Sequence, residues 1–205
     1  MGKVRRSVAK DERRAQLVQA AQAVFAQRGY HAATVDDITR AAGVAKGTFY
    51  LYFDEKREIY YEVIRGFLAL IKDIGRSIGQ APRGSDYFSR AEHAANQLMR
   101  VFIDNREMAR LAYRESMGLD AELEKLIGGF YREIAEVEAA NIRVGIELGI
   151  FRPVDPLLVA YAHIGMAERV ILATLEDDSG LPPPEQIVRE MMQIAFEGLA
   201  RPPAA

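Results

Sequence analysis

The residues best suited to binding chemistry lie close together in the first third of the chain. Lys46, Gly47, Thr48 and Tyr50 place a cation, a glycine, a hydroxyl and a phenol within five positions. A lysine can meet a phosphate or a guanine, a threonine can offer its hydroxyl or methyl group to a base, and a glycine lets the backbone come close. Together these groups are typical of a surface pressed against duplex DNA.

The remaining titratable residues form no pattern that favours catalysis or metal binding. The chain has no cysteine and three scattered histidines, which gives no zinc-ligand spacing. Glu133, Glu136 and Glu138 lie on an amphipathic segment without a histidine beside them, and no nucleophile triad or phosphate-binding glycine loop occurs. His163 lies in an apolar segment and is interpreted as a satisfied core or interface histidine. We therefore expect no enzyme activity, no metal site and no cofactor.

Helical periodicity dominates the elements that must position the candidate DNA-binding residues. Apolar residues recur at three- and four-residue steps, and alternating strand-like runs bounded by turn residues are hard to find. Gly29 stands where the first helix ends, in a position that favours left-handed backbone. The pattern predicts an all-α fold of about nine helices, near residues 10–28, 35–42, 46–52, 55–79, 86–104, 106–117, 120–148, 156–176 and 185–199.

Local signals place a helix-turn-helix around the same residues. Thr34 can cap a helix, and Asp37 three residues later can complete a capping box and meet the positive end of the helix dipole. Gly43 permits the tight turn before a second short helix, whose cap position holds Ala45. Lys56 falls in the first turn of the next helix, where a cation is disfavoured unless an anion such as a DNA phosphate lies nearby.

The order of these motifs resembles the N-terminal domain of the TetR family. It runs from Phe-x-x-x-Gly-Tyr at residues 25–30 through Thr-Val-x-x-Ile, Ala-Gly-Val and Lys-Gly-Thr-Phe-Tyr-x-Tyr-Phe, and covers about residues 10–60. The resemblance implies an N-terminal three-helix helix-turn-helix domain in residues 1–54. It also implies a C-terminal helical bundle in residues 55–205 that binds an effector and dimerises. The second short helix would enter the major groove, with DNA contacts from Thr34, Val44, Ala45, Lys46, Gly47, Thr48, Tyr50, Tyr52 and Lys56.

Charge is distributed unevenly along the chain, although the formal net charge is only −2. Residues 1–57 carry 11 Lys and Arg against 6 Asp and Glu, whereas residues 58–205 carry 16 against 23. The basic N-terminal part, which includes Lys3, Arg5 and Arg6, is the better partner for a polyanion. Those three tail residues are equally well explained as part of a solvated chain end.

The N-terminus and the apolar segments predict a cytoplasmic protein without a membrane partner. The basic start is followed by an amphipathic segment with Gln19, Gln22 and Gln27, which is unlike the continuous apolar run of a signal peptide. We expect no stretch of about 20 apolar residues that would cross a bilayer.

Specific reading of DNA by one short helix requires two copies of the chain. The matching target is a palindrome with half-sites about 34–36 Å apart, or a multiple of that distance. In the TetR family the last helices of each chain form an intersubunit four-helix bundle, and apolar residues recur at suitable steps in the last two predicted helices. The homodimer interface is accordingly predicted to include Tyr161, Ile164, Glu168, Ile171, Ile187, Met191 and Ile194.

The C-terminal domain is expected to bind a small molecule that is apolar or amphipathic. The resemblance implies such an effector, and methionine and aromatic side chains suit an adaptable apolar pocket. Core packing explains the same residues equally well. The candidates for the pocket are Met99, Phe102, Tyr113, Met117, Phe130 and Met166.

The predicted function is a dimeric, ligand-responsive repressor that binds a palindromic operator through residues 34–53. An alternative is an activator, or a nucleoid or cell-division type of DNA-binding protein, without a small-molecule effector. A C-terminal domain lacking a cavity of about 300 Å³ or more would favour the alternative. An enzyme would instead require a cleft that holds several titratable groups with perturbed pKa values.

Overall fold

The computed structural model describes residues 2–79, 87–116, 121–176 and 178–199, and within these ranges the chain forms nine helices and no strand. The predicted all-α class and number of helices are thus confirmed. The helices are α1 (Gly2–Ala32), α2 (Val35–Ala41), α3 (Lys46–Phe49), α4 (Lys56–Gly79), α5 (Tyr87–Asp104), α6 (Arg106–Ser116), α7 (Ala121–Glu147), α8 (Pro156–Thr174) and α9 (Pro184–Leu199).

Most helices begin and end within about two residues of the positions predicted from the sequence, because turn and capping residues mark their ends. Gly29 has φ 74° and ψ 167°, a combination open essentially to glycine alone, and only a short helical turn follows it. Three ends differ from the prediction. α1 begins at Gly2 rather than near Lys10 and continues past the non-helical Gly29 to Ala32 rather than ending near Arg28. α3 is a single turn that ends at Phe49.

The described chain divides into two compact units. The first contains the residues up to Ala69 together with α6 from Glu107. The second contains Leu70–Arg106 and the helices from α7 onward. α4 therefore supplies residues to both units. The predicted division of function between residues 1–54 and 55–205 stays a prediction.

Aromatic side chains form the core of the first unit. Phe25, Phe49, Phe53 and Tyr60 each expose 1% or less of their surface. Phe25 meets Tyr60 edge-on with ring centroids 5.4 Å apart, and the rings of Phe49 and Phe53 lie 5.6 Å apart. Burial of one such side chain contributes about 1.5–3 kcal/mol. The inward orientation expected for Phe49 and Phe53 is confirmed, and these rings hold the short α3 on the core.

Small residues let α7 and α8 approach each other closely in the second unit. Ala135 and Ala139 on α7 and Ala160 on α8 are fully buried. Ile142 and Phe151, which are 1% and 2% exposed, complete this core cluster. The short alanine side chains therefore let the backbones of α7 and α8 pack against each other in this cluster.

A second core cluster joins α5 to α8 and α9. Its buried members are Met99, Ile171, Ile187 and Val188. Next to it, Arg106 donates two hydrogen bonds to the carbonyl oxygen of Leu175, from Nε at 3.0 Å and from Nη2 at 2.5 Å. Leu175 is the C-cap of α8, so the guanidinium donates to a carbonyl at a helix end.

α8 has the length and composition of a helix that crosses a membrane, with a mean hydropathy of 1.4. The expectation that no such stretch exists is therefore wrong on these two criteria, which the core helix of a soluble protein also meets. Only 11% of its apolar window is buried within the chain. Leu157, Leu158 and Tyr161 are 44%, 70% and 46% exposed. One copy of the chain thus leaves much of the apolar surface of α8 uncovered.

Gly145→Ala on α7 is expected to lower the free energy of unfolding. A Cβ at this position would lie 2.2 Å from Cδ2 of Phe151, whose ring is buried and has to shift. Overpacking of this kind costs about 1–3 kcal/mol. Urea denaturation followed by circular dichroism measures the change.

Gly128→Ala on the same helix is the matched control. No atom lies within 4 Å of a Cβ there, so the better helix propensity of alanine should stabilise the protein by about 0.5–1 kcal/mol. Equal changes in the two variants would contradict the packing role of Gly145.

Candidate DNA-binding surface and internal cavity

A complete capping box fixes the start of α2. The backbone N–H of Asp37 donates to the Thr34 hydroxyl oxygen at 3.1 Å. The Asp37 carboxylate accepts the backbone N–H of Thr34 at 3.1 Å and its hydroxyl at 2.7 Å. The hydrogen bond from the Thr34 side chain is the main reason why the pKa of Asp37 is lowered, and the charges of Arg28 and Arg40 add to it. The predicted cap is thus confirmed.

The turn between α2 and α3 depends on Gly43 and on backbone hydrogen bonds. Gly43 has φ 66°, and the N–H of Val44 donates to the carbonyl oxygen of Thr39 at 3.0 Å. Thr39 is buried, and its hydroxyl donates to the carbonyl oxygen of Val35 at 3.0 Å. Ala45 is the N-cap of α3 and makes no side-chain hydrogen bond, as its residue type indicates. α3 therefore depends on its neighbours for its position.

The side of α3 away from the buried phenylalanines is open to solvent. The predicted DNA-contacting residues that are exposed are Thr34, Ala45, Lys46, Gly47 and Tyr50. Those that are partly buried are Val44, Thr48, Tyr52 and Lys56. Leu51, next to Tyr50, is 73% exposed and was not among the residues predicted from the sequence. The inward placement of Phe49 and Phe53 is the signal that identifies it, because residues between them must face outward.

An exposed ion pair holds Lys46 against α2. Its Nζ donates to Oδ2 of Asp36 at 2.9 Å. This hydrogen bond, followed by the charge of the same carboxylate, raises the pKa of Lys46. Both side chains are more than half exposed, so the pair contributes little to stability. A phosphate can therefore compete with Asp36 for the ammonium group.

Lys56 has a different partner from the one expected. Its Nζ donates to the carbonyl oxygens of Tyr30 at 2.7 Å and Ala33 at 2.8 Å, and it lies 4.4 Å from the centre of the Tyr30 ring. These carbonyls lie at the end of α1, where the helix dipole is negative. The expected need for a DNA phosphate at Lys56 is thus corrected, because the chain itself supplies the negative partner.

Two polar residues of α1 hold the helix-turn-helix in place. Arg14 forms an ion pair with Glu62 of α4, and its guanidinium carbon lies 5.0 Å from the centre of the Phe53 ring. Gln16 donates from Nε2 to the carbonyl oxygen of Ala42 at 2.8 Å, at the end of α2. The roles of Arg14 and Gln16 were not predicted from the sequence, because polar residues on an amphipathic helix resemble a solvated face.

The second unit contains a cavity of about 240 Å³ between the C-terminal part of α4 and helices α5, α7, α8 and α9. Two of the predicted pocket residues, Met99 and Met166, line it. Met117 lies outside the described residues. Phe102 packs against the core cluster around Met99, and Tyr113 belongs to the first unit. The predicted residues that do not line the cavity are Phe102, Phe130 and Tyr113.

The wall of this cavity is almost entirely apolar. Its flexible side chains include Met191 and Met192, and the rings of Phe151 and Phe196 stack with centroids 5.7 Å apart. Methionine side chains adapt to ligands of different shape. The volume lies slightly under the value of about 300 Å³ expected of a small-molecule site, so size by itself does not argue for an effector. The apolar composition of the wall is the argument for an effector.

Three polar side chains reach the wall, and each has a partner. Nδ1 of His163 on α8 lies 3.2 Å from Oε1 of Glu138 on α7, and both residues line the cavity. Nζ of Lys72 donates to Oε2 of Glu133 at 2.6 Å, and this bond lowers the pKa of Glu133. His163 is thus hydrogen-bonded, as interpreted from the sequence. Among the described residues, no group of three or more His, Asp or Glu side chains is placed to hold a metal ion.

The predicted interface residues divide between the surface and the core of one chain. Tyr161 and Ile194 are 46% and 62% exposed. Ile171 and Ile187 are each 5% exposed, because they pack in the core cluster that joins α5 to α8 and α9. The exposed pair is available to a second chain, and the buried pair supports the helices that carry it.

The other predicted interface residues face neighbouring helices of the same chain. Ile164 and Met191 line the cavity. Glu168 accepts a hydrogen bond from the hydroxyl of Tyr131 at 2.6 Å, which joins α8 to α7. One side of α8 therefore packs against other helices of the same chain.

The stability that Asp37 contributes is expected to fall in acid. Its pKa is below the ordinary value of 3.8 in the folded chain, so the contribution is complete above that value and is lost as the pH falls through the folded pKa. Asp37→Asn should lower stability at neutral pH and flatten the acid limb of the stability curve. Urea melts between about pH 3 and 7 measure this dependence. Asp73→Asn on α4 is the control, and an equal flattening in both variants would contradict the assignment.

Two family models match the chain. Residues 17–63 match the model described as bacterial regulatory proteins, tetR family, and residues 89–199 match the tetracyclin repressor-like C-terminal domain. The second match alone spans more than half of the chain.

Individual proteins agree with the family models. The HTH-type transcriptional regulator YhgD of Bacillus subtilis is 29% identical over 164 residues, which cover 75% of this chain and 79% of that protein. The HTH-type transcriptional repressor KstR2 of Rhodococcus jostii is 46% identical over 59 residues, 29% of each chain. The solved structure of the transcriptional regulator FadR from Bacillus subtilis in complex with stearoyl-CoA shares the fold, with a TM-score of 0.75, 20% identity, and coverage of 90% of this chain and 98% of that one. The chain belongs to the TetR family and is a DNA-binding transcriptional regulator.

Proposed function

We propose that this regulator is a homodimeric repressor that binds a palindromic operator and releases it when a small apolar or amphipathic molecule occupies the cavity. The observation that carries the proposal is the exposed face of α3, where Lys46 and Tyr50 reach solvent while Phe49 is buried. The proposal gives the protein no catalytic role. It places the protein in the cytoplasm, where the operator is accessible.

In the proposed complex, α3 enters the major groove. Lys46 exchanges the carboxylate of Asp36 for a phosphate or a guanine, and Tyr50 meets a neighbouring phosphate. Gly47 has open space around it, so the backbone can approach the DNA closely. Leu51 presents an exposed apolar group that suits a thymine methyl.

The partly buried members of the predicted set contribute more by position than by contact. Lys56 holds the start of α4 against the end of α1, and Thr34 holds the start of α2. The exposed face of α3 is bordered by three partly buried residues, Val44, Thr48 and Tyr52. A surface held in this way loses little conformational entropy when it binds DNA.

The outer face of α8 supports the proposed dimer. Leu158, Tyr161 and Ala162 are exposed, and the space next to Gly165 is open. Ile194 adds an exposed apolar side chain from α9. Small residues beside large apolar ones let a second pair of helices pack closely on this face. The proposed interface therefore keeps Tyr161 and Ile194 as its contacting members.

The apolar wall of the cavity supports the proposed effector. The FadR protein that shares this fold binds stearoyl-CoA in its solved structure. A slender apolar group, such as an acyl or alkyl chain, suits the size and composition of the cavity here. Ile71 and Ile74 belong to α4, the helix that begins at Lys56. A ligand that prefers one position of α4 shifts the operator affinity by its difference in affinity for the two forms.

Lys46→Ala and Tyr50→Ala are each expected to weaken specific operator binding while the dimer stays intact. Loss of one good base or phosphate contact costs about 1–3 kcal/mol, which is roughly 10- to 100-fold in Kd. Fluorescence anisotropy with a labelled duplex selected from a random library measures the affinity, and size-exclusion chromatography measures the dimer. The wild-type affinity should fall with salt, and Lys46→Ala should reduce the salt slope by about one.

Two further variants make this experiment decisive. Lys125→Ala removes an exposed lysine of α7 in the second unit and should leave operator binding unchanged. Asp36→Asn removes the carboxylate 2.9 Å from Lys46 and should tighten binding, because the ammonium no longer has to exchange partners. An affinity that does not depend on salt would refute the proposed surface.

Tyr161→Asp combined with Ile194→Asp is expected to convert the dimer to monomers, because both carboxylates would be buried without partners in the interface. Light scattering coupled to size-exclusion chromatography measures the molar mass. Ile103→Asp on α5 is the matched control, since Ile103 is an exposed isoleucine outside the proposed face. A dimer that survives the double substitution would place the interface elsewhere.

A further inference from the structure

One pair of polar side chains interrupts the apolar wall of the cavity. His163 on α8 and Glu138 on α7 both line it, and their side chains are 22% and 30% exposed. The other polar group at the wall is Lys72, whose ammonium already donates to Glu133 at 2.6 Å. Apolar side chains at positions 138 and 163 would avoid the cost of removing polar groups from water. The pair therefore calls for an explanation beyond packing.

The hydrogen bond between the two residues determines what the imidazole offers to a ligand. A carboxylate oxygen accepts hydrogen bonds, so we assign the donor role to Nδ1 of His163 and the acceptor role to Oε1 of Glu138, which lie 3.2 Å apart. In a neutral ring, Nε2 is then a hydrogen-bond acceptor. Among the described residues, His163 makes this one hydrogen bond, and Nε2 is left for another donor.

We infer that the effector carries a neutral hydrogen-bond donor, such as a hydroxyl, on an apolar body, and that this donor binds Nε2 of His163. The inference rests on the proposed function, because it assigns chemistry to a ligand in the same cavity. Glu138 is a positioning residue that keeps the acceptor on Nε2. Its negative charge, together with the second acceptor on His163, disfavours a ligand carboxylate at this point. A pure hydrocarbon would leave Nε2 desolvated without a partner.

Three ligands with the same alkyl chain test the inference by isothermal titration calorimetry on the dimer at about pH 8, where an imidazole is normally neutral. They are 1-octanol, which donates a hydrogen bond, its methyl ether, which only accepts, and octanoate, which is an anion. The wild-type protein should bind octanol roughly 2- to 10-fold more tightly than the ether. Octanoate should bind more weakly than octanol.

Variants of the pair separate hydrogen bonding from packing. His163→Phe should bring the ratio of the octanol and ether affinities to about one. Glu138→Gln should also lower this ratio, because a glutamine amide both donates and accepts and so no longer fixes the tautomer. Met192→Leu is the matched control from the same wall and should keep the wild-type ratio. Circular dichroism confirms that each variant is folded, and a ratio is insensitive to a general loss of affinity.

The outcomes separate this inference from the proposed function. Equal binding of octanol and ether by the wild type, tighter binding of octanoate, or an unchanged ratio in His163→Phe would overturn the inference alone. Absence of binding by all three ligands would overturn both the effector cavity and the inference. If octanol binds with the expected preference but leaves operator affinity unchanged, the inference stands and the ligand-responsive repressor is contradicted in favour of a regulator without an effector response.

Discussion

The α3 helix has only four residues and cannot stabilise itself, and the first unit is built around that constraint. A single turn lies far below the length at which helices form on their own, and Ala45 provides no cap for it. The position of α3 therefore comes from its surroundings. Phe49 and Phe53 are buried below it, and Gly43 sets the turn before it. The ammonium of Lys56 binds carbonyls at the end of α1, so the helix that follows α3 is fixed as well.

Local signals were sufficient to predict most of the fold. Helix ends depend on capping and turn residues within a few positions. Thr34 therefore located the start of α2 correctly, and Gly29 marked the break near the end of α1. The direction in which Phe49 and Phe53 point also follows from periodicity alone. The start of α1 was not predicted, because a basic segment without an apolar stripe gives no periodic signal for a helix. 

Contacts between distant parts of the chain could not be predicted in the same way. Arg14 meets Glu62 across 48 positions, and Lys56 reaches carbonyls more than 20 positions earlier. Neither pairing leaves a trace in local periodicity. The pocket illustrates the same limit, because Met99 and Phe102 lie on one helix and have the same apolar character, yet only Met99 reaches the cavity wall. Which apolar residue lines a void depends on the packing of five helices, not on residue type.

α8 shows how one helix can satisfy two demands that its composition does not distinguish. Ala160 and Ile171 face the protein interior, whereas Leu158 and Tyr161 face outward. The apolar content of both faces makes the helix resemble a membrane span by composition. His163 argues for a helix that faces the interior of a folded domain on one side. Its hydrogen bond to Glu138 places a polar group on that inner side, at the cavity. An inner side that is apolar apart from a few hydrogen-bonded groups, together with an exposed apolar outer side, fits the proposal that α8 holds a ligand on one face and a second chain on the other. In the proposed regulator, a ligand that binds better to one packing of α8 would shift the dimer interface by its difference in affinity for the two forms.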